Sequence, residues 1–403
     1  MSKKPYNWTR RDFLKTAGAV GVGSLIAPVG RLAVAAKSQA PIPTRPFGKT
    51  GANVASLSLG GMFDIPSNQL MLKQAVKWGV TYWDTANSYE GGHSEKGIGK
   101  FFKKYPGERK KVFLVTKTGA WSIKGMTRHL DKSLERMQTD YIDLLFVHGI
   151  RSIDTMDEEI KRWGDKAKSA GKIRFFGFST HSNMEKCLLA APKLGWIDGI
   201  MMTYNYRLMH TDRMRRAVDA CVEAGIGLTA MKTQGGGQVR TDSETELQLA
   251  GQFLEQGLTN GQAKLKAVWE NPQIAAICSQ MPNMTLLKSN VDAANHKARL
   301  SSTDQKLFRQ YARETHFDYC TGCTDLCEPV IGDSIPIGDV MRCLMYSRSY
   351  GDRSRARARF KRIPPKTRRR MATIDYAAAE KRCPQKMAIG RLMQEAVQEL
   401  DLR

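Results

Sequence analysis

The stretch that decides the fold covers residues 112–148 and reads VFLVTKTGAWSIKGMTRHLDKSLERMQTDYIDLLFVH. Its two ends, Val112 to Lys117 and Tyr141 to His148, are short runs of β-branched, aromatic and aliphatic residues, which are typical of buried strands. Between them, Met126 to Met137 carries apolar residues at spacings of three and four, which predicts an amphipathic helix. Because strands joined by a helix pair in parallel, the stretch predicts one strand–helix–strand unit.

The same alternation of strand and helix runs through the middle of the chain. Six further runs predict strands: Val54 to Leu59, Val80 to Asp84, Phe175 to Ser179, Ile197 to Tyr204, Gly227 to Lys232 and Ile274 to Gln280. Four more segments have helical periodicity: Asn68 to Trp78, Glu158 to Ala170, Thr211 to Ala224 and Thr285 to Ala293. Eight strands separated by helices predict an α/β fold, a closed (β/α)8 TIM barrel. An open Rossmann sheet is the alternative, but Leu59-Gly60-Gly61-Met62 lacks its G-x-G-x-x-G turn.

Length and composition set the domain organisation. The chain has 403 residues, and a barrel over 43–300 leaves 301–403 as a small, mainly helical extension that contains cysteines. Hydrophobic residues make up 41% and charged residues 25%, which argues against a disordered chain and against a protein with many membrane spans. The sequence therefore predicts one large domain with additions at both ends.

The first addition is predicted to be a twin-arginine signal peptide over 1–36. Arg10 and Arg11 precede an uncharged run from Thr16 to Gly30, and Ala33-Val34-Ala35-Ala36 offers small residues for cleavage. The run is short and rich in glycine for a membrane helix, which needs about 20 mainly apolar residues. We expect the twin-arginine export machinery to carry the folded protein to the periplasm, which indicates a cofactor inserted before export.

Four residues of catalytic type fall where a TIM barrel places its active site. Asp84, Lys117 and His148 stand at the ends of the second, third and fourth predicted strands, and Tyr89 follows Asp84 in the next loop. Because the loops after the strands build one rim of such a barrel, these side chains are expected to converge there.

These residue types suit the reduction of a carbonyl group. A hydride that arrives at the carbonyl carbon leaves negative charge on oxygen, so a neighbouring acid must supply a proton. Tyr89 is the expected acid. Lys117 is expected to lower the pKa of its phenol, Asp84 to hold the Lys117 ammonium, and His148 to orient the substrate oxygen.

The order and spacing of the motifs resemble those of the aldo-keto reductase family over about residues 43 to 295. The motifs are Arg45-Pro46-Phe47-Gly48-Lys49-Thr50-Gly51, Leu59-Gly60-Gly61, Asp84-Thr85-Ala86-Asn87-Ser88-Tyr89, Ser94-Glu95, Lys117 and Tyr141-Ile142-Asp143-Leu144-Leu145-Phe146-Val147-His148. The resemblance implies a barrel fold, a reaction that uses NADP or NAD, and a catalytic tetrad of Asp84, Tyr89, Lys117 and His148. It also implies Tyr89 as the proton donor.

The predicted cofactor site departs from the family pattern. Ser179 matches the serine that holds the nicotinamide amide, but Thr180 stands where the family has asparagine. Gly235 and Gly236 follow the seventh strand and are predicted to let backbone amides approach the pyrophosphate, although a mobile loop would look the same. Lys288 is the one cation near the expected adenosine site, so NADP and NAD both stay open.

The extension carries a second candidate site. Cys320, Cys323 and Cys327 form a C-x2-C-x3-C motif, and Cys383 precedes a proline near the end of the chain. Clustered thiolates suit iron–sulfur or zinc, and thiols of an exported protein can also form disulfides. The tail resembles a ferredoxin-like extension found on a branch of aldo-keto reductases, which implies one 4Fe-4S cluster on these four cysteines, with Cys343 as the alternative fourth ligand. Cys187, Cys221 and Cys278 are expected to be inert core thiols.

A basic segment separates these cysteines. Arg348 to Arg370 holds eleven basic residues and one acidic residue, out of a formal net charge of +24 for the chain. A solvated helical face is the plain interpretation, and an acidic redox partner or an anionic membrane surface is the alternative. Nucleic acid is not an expected partner of an exported barrel enzyme.

Together these features predict an exported oxidoreductase that reduces a small carbonyl substrate, aldehyde or ketone, with a nicotinamide cofactor. Two alternatives remain open. The first is an iron–sulfur electron-transfer protein whose barrel only binds a ligand, and the second is a barrel kept as a binding or assembly module. The complete tetrad favours the reductase, whereas the altered cofactor motifs favour the alternatives.

Overall fold

The computed structural model describes residues 40–237, 244–331 and 335–401. The predicted signal peptide lies outside these residues. No helix in the described ranges is long and apolar enough to cross a membrane.

The core of the molecule is the predicted barrel of eight parallel strands. A short antiparallel hairpin, β1 (Thr44–Pro46) and β2 (Asn53–Ala55), precedes it. The barrel strands are β3 (Leu57–Gly60), β4 (Tyr82–Asp84), β5 (Phe113–Thr118), β6 (Ile142–Ile150), β7 (Ile173–Thr180), β8 (Gly199–Thr203), β9 (Gly227–Met231) and β10 (Ala276–Gln280). Neighbours in sequence are neighbours in the sheet, and β10 pairs with both β9 and β3 to close it. The predicted TIM barrel is confirmed, and the predicted first strand divides between the hairpin and β3.

Sixteen α-helices lie in the described ranges. Those of the barrel region are α1 (Gln69–Lys77), α2 (His93–Lys104), α3 (Ile123–Met137), α4 (Glu158–Ser169), α5 (Met184–Ala190), α6 (Asp212–Glu223), α7 (Glu244–Glu255), α8 (Asn260–Trp269) and α9 (Met284–Asn295). Those of the extension are α10 (Ser302–Glu314), α11 (Thr324–Cys327), α12 (Ile337–Arg348), α13 (Arg353–Phe360), α14 (Pro365–Met371), α15 (Ala377–Arg382) and α16 (Ile389–Leu400). The extension is therefore helical, as predicted.

The end of the barrel opposite the predicted active site is closed by the ring of Phe47. This ring is fully buried and packs edge-on against Tyr82, with ring centroids 6.5 Å apart. A Cβ atom at Gly199 or Gly227 would come within 2.7 Å and 2.5 Å of the Phe47 ring, so only glycine leaves room for it. The floor of the barrel is thus filled by a side chain, and the opposite rim is the end at which a site can form.

The extension has its own hydrophobic core and packs on the barrel rim. Its core includes Leu344 of α12, Phe360 of α13 and Leu392 of α16. Polar contacts join it to the barrel; among them, the Asn183 backbone amide donates to the Gly322 carbonyl (2.7 Å), and Arg151 pairs with Glu328 (2.7 Å). The extension therefore forms a second wall above the strand ends where the tetrad was predicted.

Candidate active site

The structure brings the four predicted tetrad residues together at the rim. Asp84 ends β4, Lys117 lies one residue before the end of β5, and His148 lies near the end of β6. Tyr89 begins a short 3-10 helix, Tyr89–Gly92, in the loop after β4. Its ring meets the His148 imidazole edge to face, with ring centroids 5.8 Å apart. One hydroxyl, one ammonium, one carboxylate and one imidazole thus share a small volume.

A buried ion pair lies at the centre of the group. The Lys117 ammonium donates to both Asp84 carboxylate oxygens, each at 2.6 Å, and to the Thr85 carbonyl at 2.8 Å. The Tyr89 hydroxyl lies 3.4 Å from the same ammonium nitrogen. Burial is the largest single influence and lowers the pKa of Lys117, but Asp84, Tyr89 and Cys278 together outweigh it and hold that pKa above its usual value. Lys117 is therefore a fixed positive charge beside the phenol.

The expected lowering of the Tyr89 pKa is not what the structure shows. Burial raises the pKa of this phenol to about 12, although the Lys117 ammonium lowers it and the Asp84 carboxylate raises it. The Lys117 effect that the sequence predicts is present, but the loss of solvation around the phenolate is larger. Tyr89 is consequently a protonated hydroxyl at neutral pH, which is the form that a proton donor needs.

His148 is electrically neutral in its surroundings. Burial lowers the pKa of its imidazole to about 3, and the positive charges of Lys117, Arg359, Arg342 and Arg362 act in the same direction. A neutral imidazole keeps one N–H donor and one acceptor nitrogen, so it can donate a hydrogen bond to a substrate oxygen without carrying charge.

Two of the four residues, Tyr89 and His148, line a cleft of about 760 Å³ between the barrel and the extension. Tyr89, His148 and His181 contribute from the barrel side, while α12 and α13 supply the opposite wall. A cleft of this size accommodates a small organic molecule.

Residues 56–289, more than half of the chain, match the model of the Aldo/keto reductase family. The chain belongs to the aldo/keto reductase family. The family assignment made from the sequence motifs is therefore confirmed.

Curated aldo-keto reductases and related oxidoreductases resemble the barrel region. Aldo-keto reductase yakc of Schizosaccharomyces pombe, whose name carries NADP(+), is 31% identical over 215 residues, which cover 49% of this chain and 62% of that protein. The uncharacterized oxidoreductase YrpG of Bacillus subtilis is 28% identical over 216 residues, 47% of this chain and 66% of that protein. The chain thus spans less than two thirds of the length of these relatives.

Solved aldo-keto reductases share the fold. The thermostable aldo-keto reductase Tm1743, in complex with the inhibitor epalrestat, is 25% identical with a TM-score of 0.56 and covers 67% of this chain and 99% of its own. Aldo-keto reductase AKR11C1 from Bacillus halodurans, in a holo form, is 22% identical with a TM-score of 0.54. The match covers 67% of this chain and 96% of that protein. The likeness covers about two thirds of this chain.

The residues predicted to bind the cofactor lie on different elements of this aldo/keto reductase, and their role stays a prediction. Ser179 is buried at the end of β7, where its hydroxyl accepts from the Gly149 amide (3.0 Å), next to the cleft. Lys288 lies on α9 and pairs with Asp292 (2.6 Å). The structure therefore places Ser179 beside the catalytic group and Lys288 on an outer helix.

The glycine loop after β9 is covered by the extension. The Gly235 amide donates to the Lys232 carbonyl (3.1 Å), and the Gly236 amide donates to the Tyr350 hydroxyl. A Cβ atom at Gly236 would lie 2.8 Å from Cβ of Ser349. Gly236 therefore allows the extension to approach closely, whereas Gly235 faces the Tyr206 ring. Both amides have acceptors within the protein, and their contact with the pyrophosphate stays a prediction.

The four predicted metal-ligand cysteines line one cavity inside the extension. Cys320, Cys323, Cys327 and Cys383 all border it, together with Pro384 and apolar side chains of α12 and α16, whereas Cys343 does not. Each of the eight cysteines lies in the described part of the chain, and none of them forms a disulfide. Burial raises the pKa of Cys327 to about 12 and also raises the pKa values of Cys320 and Cys323. No three His, Cys, Asp or Glu side chains of the described ranges are placed to hold a single metal ion.

Two features of the site were missed from the sequence. Cys278, expected to be an inert core thiol, lies with its sulfur 3.6 Å from an Asp84 carboxylate oxygen. Lys232 donates to the Tyr346 hydroxyl of α12 (2.8 Å), and although burial alone would raise the pKa of that phenol, Lys232 lowers it to about 8. Cys278 lies on a predicted strand. The Lys232–Tyr346 hydrogen bond joins residues 114 positions apart, and no local sequence pattern signals such a pair.

Proposed function

We propose that this protein reduces a carbonyl group, aldehyde or ketone, with a nicotinamide cofactor. The observation that carries the proposal is the position of the Tyr89 hydroxyl, 3.4 Å from the Lys117 ammonium and at the edge of the cleft. This arrangement provides a proton and a positive charge at the same point. Both are needed where a carbonyl oxygen becomes an alcohol.

The residues around the cleft fit the nicotinamide end of the cofactor. Ser179 lies next to the cleft wall at Gly149 and would hold the nicotinamide amide. When bound, the reduced nicotinamide supplies the hydride for the carbonyl carbon. The name of the Schizosaccharomyces pombe relative favours NADP over NAD.

The chain's own residues supply the remaining chemistry. His148, as a neutral donor, orients the carbonyl oxygen, and Tyr89 gives that oxygen its proton as the carbon receives the hydride. The phenolate left on Tyr89 is stabilised by the Lys117 ammonium, which Asp84 holds in place through two 2.6 Å hydrogen bonds. Proton transfer from water then restores the Tyr89 hydroxyl.

Replacing Tyr89→Phe should remove the proton donor while keeping the ring. We expect turnover of benzaldehyde by the mature protein to fall by at least about 100-fold, the usual contribution of a general acid. NADPH affinity, measured by fluorescence titration, should change little, because the hydroxyl contacts the substrate and not the cofactor. Leu70→Ala, at a side chain 77% exposed on α1, is the control.

The pH profile of turnover tests the proposed role of Tyr89 as proton donor. Because the pKa of Tyr89 is about 12 and that of His148 about 3, neither group titrates between pH 5 and 9. The rate of the chemical step should therefore vary little over this range. Unchanged turnover in the Tyr89→Phe variant would remove Tyr89 from the mechanism.

We further propose that the extension binds one 4Fe-4S cluster through Cys320, Cys323, Cys327 and Cys383. The supporting observation is the shared cavity, which includes Cys383 with its neighbouring proline and excludes Cys343. A cubane cluster is bound by four thiolates at its corners, so its ligands stand further apart than those of a single ion. This second site favours an electron-transfer role alongside reduction, with an acidic redox partner as the matching hypothesis.

Anaerobically isolated protein should contain about four irons per chain, as expected for one cubane cluster. Cys320→Ser, Cys323→Ser and Cys383→Ser should each lose most of this iron, whereas Cys343→Ser, a change outside the cavity, should keep it. Elemental analysis and the visible absorption spectrum provide the measurement. Stoichiometric zinc without iron, or iron that depends on Cys343 instead of Cys383, would contradict the assignment.

We propose, from the sequence alone, that the protein is exported to the periplasm by the twin-arginine machinery. Changing Arg10→Lys together with Arg11→Lys keeps the charge but removes the arginine pair. The precursor of this double variant should stay in the cytoplasm in folded form, as shown by cell fractionation and protease resistance. Normal export of the variant would indicate the general secretory route.

A further inference from the structure

The cleft above the tetrad is cationic. Five arginines line it: Arg151, Arg342, Arg355, Arg359 and Arg362. Three carboxylates also line it, Glu90, Asp339 and Asp352, and a fourth, Glu328, pairs with Arg151 (2.7 Å), which leaves one positive charge in excess. Four of the five arginines come from the extension. The basic segment interpreted as a solvated face therefore contributes directly to the catalytic cleft.

The carboxylates neutralise these arginines unequally. Arg355 is paired with Asp352 (3.2 Å) and Glu90 (3.5 Å), and its guanidinium also donates to the Met62 carbonyl (2.9 Å). This arginine therefore fastens the extension to the barrel.

Asp339 is shared by three arginines. It makes a close pair with Arg342 and more distant pairs with Arg151 (3.7 Å) and Arg359 (3.8 Å). One carboxylate cannot neutralise three guanidinium groups. The excess charge in the cleft is consequently centred on Arg342, Arg359 and Arg362.

Arg342 also has a hydrogen-bonding atom without a partner. Its side chain is 12% exposed, and its Nε atom is buried with no hydrogen-bond acceptor in the structure. Buried donors in native proteins are almost always paired, and this one belongs to a residue that lines the cleft. Arg342, Arg359 and Arg362 also lie near enough to His148 to lower the pKa of its imidazole, which places their charge beside the catalytic group.

We propose that the cleft binds a carbonyl substrate whose other end carries an anionic group, a carboxylate or a phosphate. Arg342, Arg359 and Arg362 hold the anion, while Tyr89 and His148 receive the carbonyl oxygen. Guanidinium groups suit this task because their planar donors match the oxygens of both anions. The substrate class rests on the proposed carbonyl reduction. The same arginines would also suit a phosphate of the cofactor, and the experiment must separate these two sources.

Two aldehydes of similar shape test the proposal. Para-carboxybenzaldehyde carries the anion and para-methylbenzaldehyde does not. In the mature protein the carboxylated aldehyde should have a KM at least about tenfold lower, since a charge-assisted hydrogen bond contributes about 1.5–3 kcal/mol and tenfold corresponds to 1.4 kcal/mol. The double change Arg359→Gln with Arg362→Gln should remove this difference. The methylated aldehyde should keep its KM within about twofold, because a neutral aldehyde gains no charge-assisted hydrogen bond.

The control variant is Arg353→Gln, on the same helix α13 as Arg359. Arg353 is exposed and does not line the cleft, so its change alters the net charge without altering the proposed site. It should leave both KM values unchanged. A KM for the carboxylated aldehyde that rises equally in this control would overturn the proposal, because a general field would then account for the effect.

A cofactor titration distinguishes the two sources of anion. If the double variant loses NADPH affinity and keeps the KM difference between the aldehydes, the arginines bind the cofactor phosphate and the substrate assignment is overturned. Unchanged NADPH affinity with loss of the KM difference supports the assignment.

Calorimetry with the alcohol products needs no turnover and separates this proposal from the proposed function. Para-carboxybenzyl alcohol should bind the unmodified protein and not the double variant, and benzyl alcohol should bind neither measurably. If neither aldehyde is reduced but this binding pattern holds, the reductase proposal fails and the anion site stands. If both aldehydes are reduced and the carboxylated alcohol has no arginine-dependent binding, the anion site is wrong.

Discussion

The ion pair between Lys117 and Asp84 lies at the rim of the barrel, next to the Tyr89 hydroxyl. Both side chains are almost inaccessible to water, at 1% and 3% exposure. Charges so deeply buried are costly unless they are paired and hydrogen-bonded, and the Lys117 ammonium meets this condition with two carboxylate oxygens and one backbone carbonyl. Removing either partner would leave the other charge uncompensated. The pair therefore fixes the rim geometry on which the position of Tyr89 depends.

The barrel explains why this pair forms. The strands β4 and β5 are parallel neighbours, with Asp84 opposite Val115, so the carboxylate and the ammonium two residues further along reach each other across the strand ends. The loop after β4 then returns Tyr89 over the ammonium, with the Lys117 nitrogen 4.8 Å from the ring centroid. The extension closes the space above. It surrounds the cleft with guanidinium groups, whose positive charge acts together with burial to lower the pKa of His148. A small helical addition therefore contributes much of the charge of the site.

Much of this arrangement could be predicted from the sequence, because it depends on local patterns. Alternating strands and helices define the barrel, and Asp84, Lys117 and His148 occupy strand ends, which any closed parallel barrel gathers at one rim. The pKa of Tyr89 could not be predicted in the same way, since Lys117 acts over a short distance but burial depends on the whole cleft. Gly235 and Gly236 look like a phosphate loop locally, yet Ser349 and Tyr350, more than 100 positions later, pack against Gly236. Likewise, nothing in the spacing of Arg355 and Arg359 indicates that the helix carrying them faces the barrel rim.

We propose that one carbonyl group receives a hydride from a nicotinamide on its carbon and a proton from the Tyr89 site on its oxygen. This proposal is tested most directly with NADPH deuterated at both C4 positions, mixed in ordinary water with para-carboxybenzaldehyde and the mature protein. Mass spectrometry of the product should show one deuterium on the carbinol carbon. An alcohol without deuterium, or aldehyde recovered unchanged from protein shown to bind NADPH, would contradict the account.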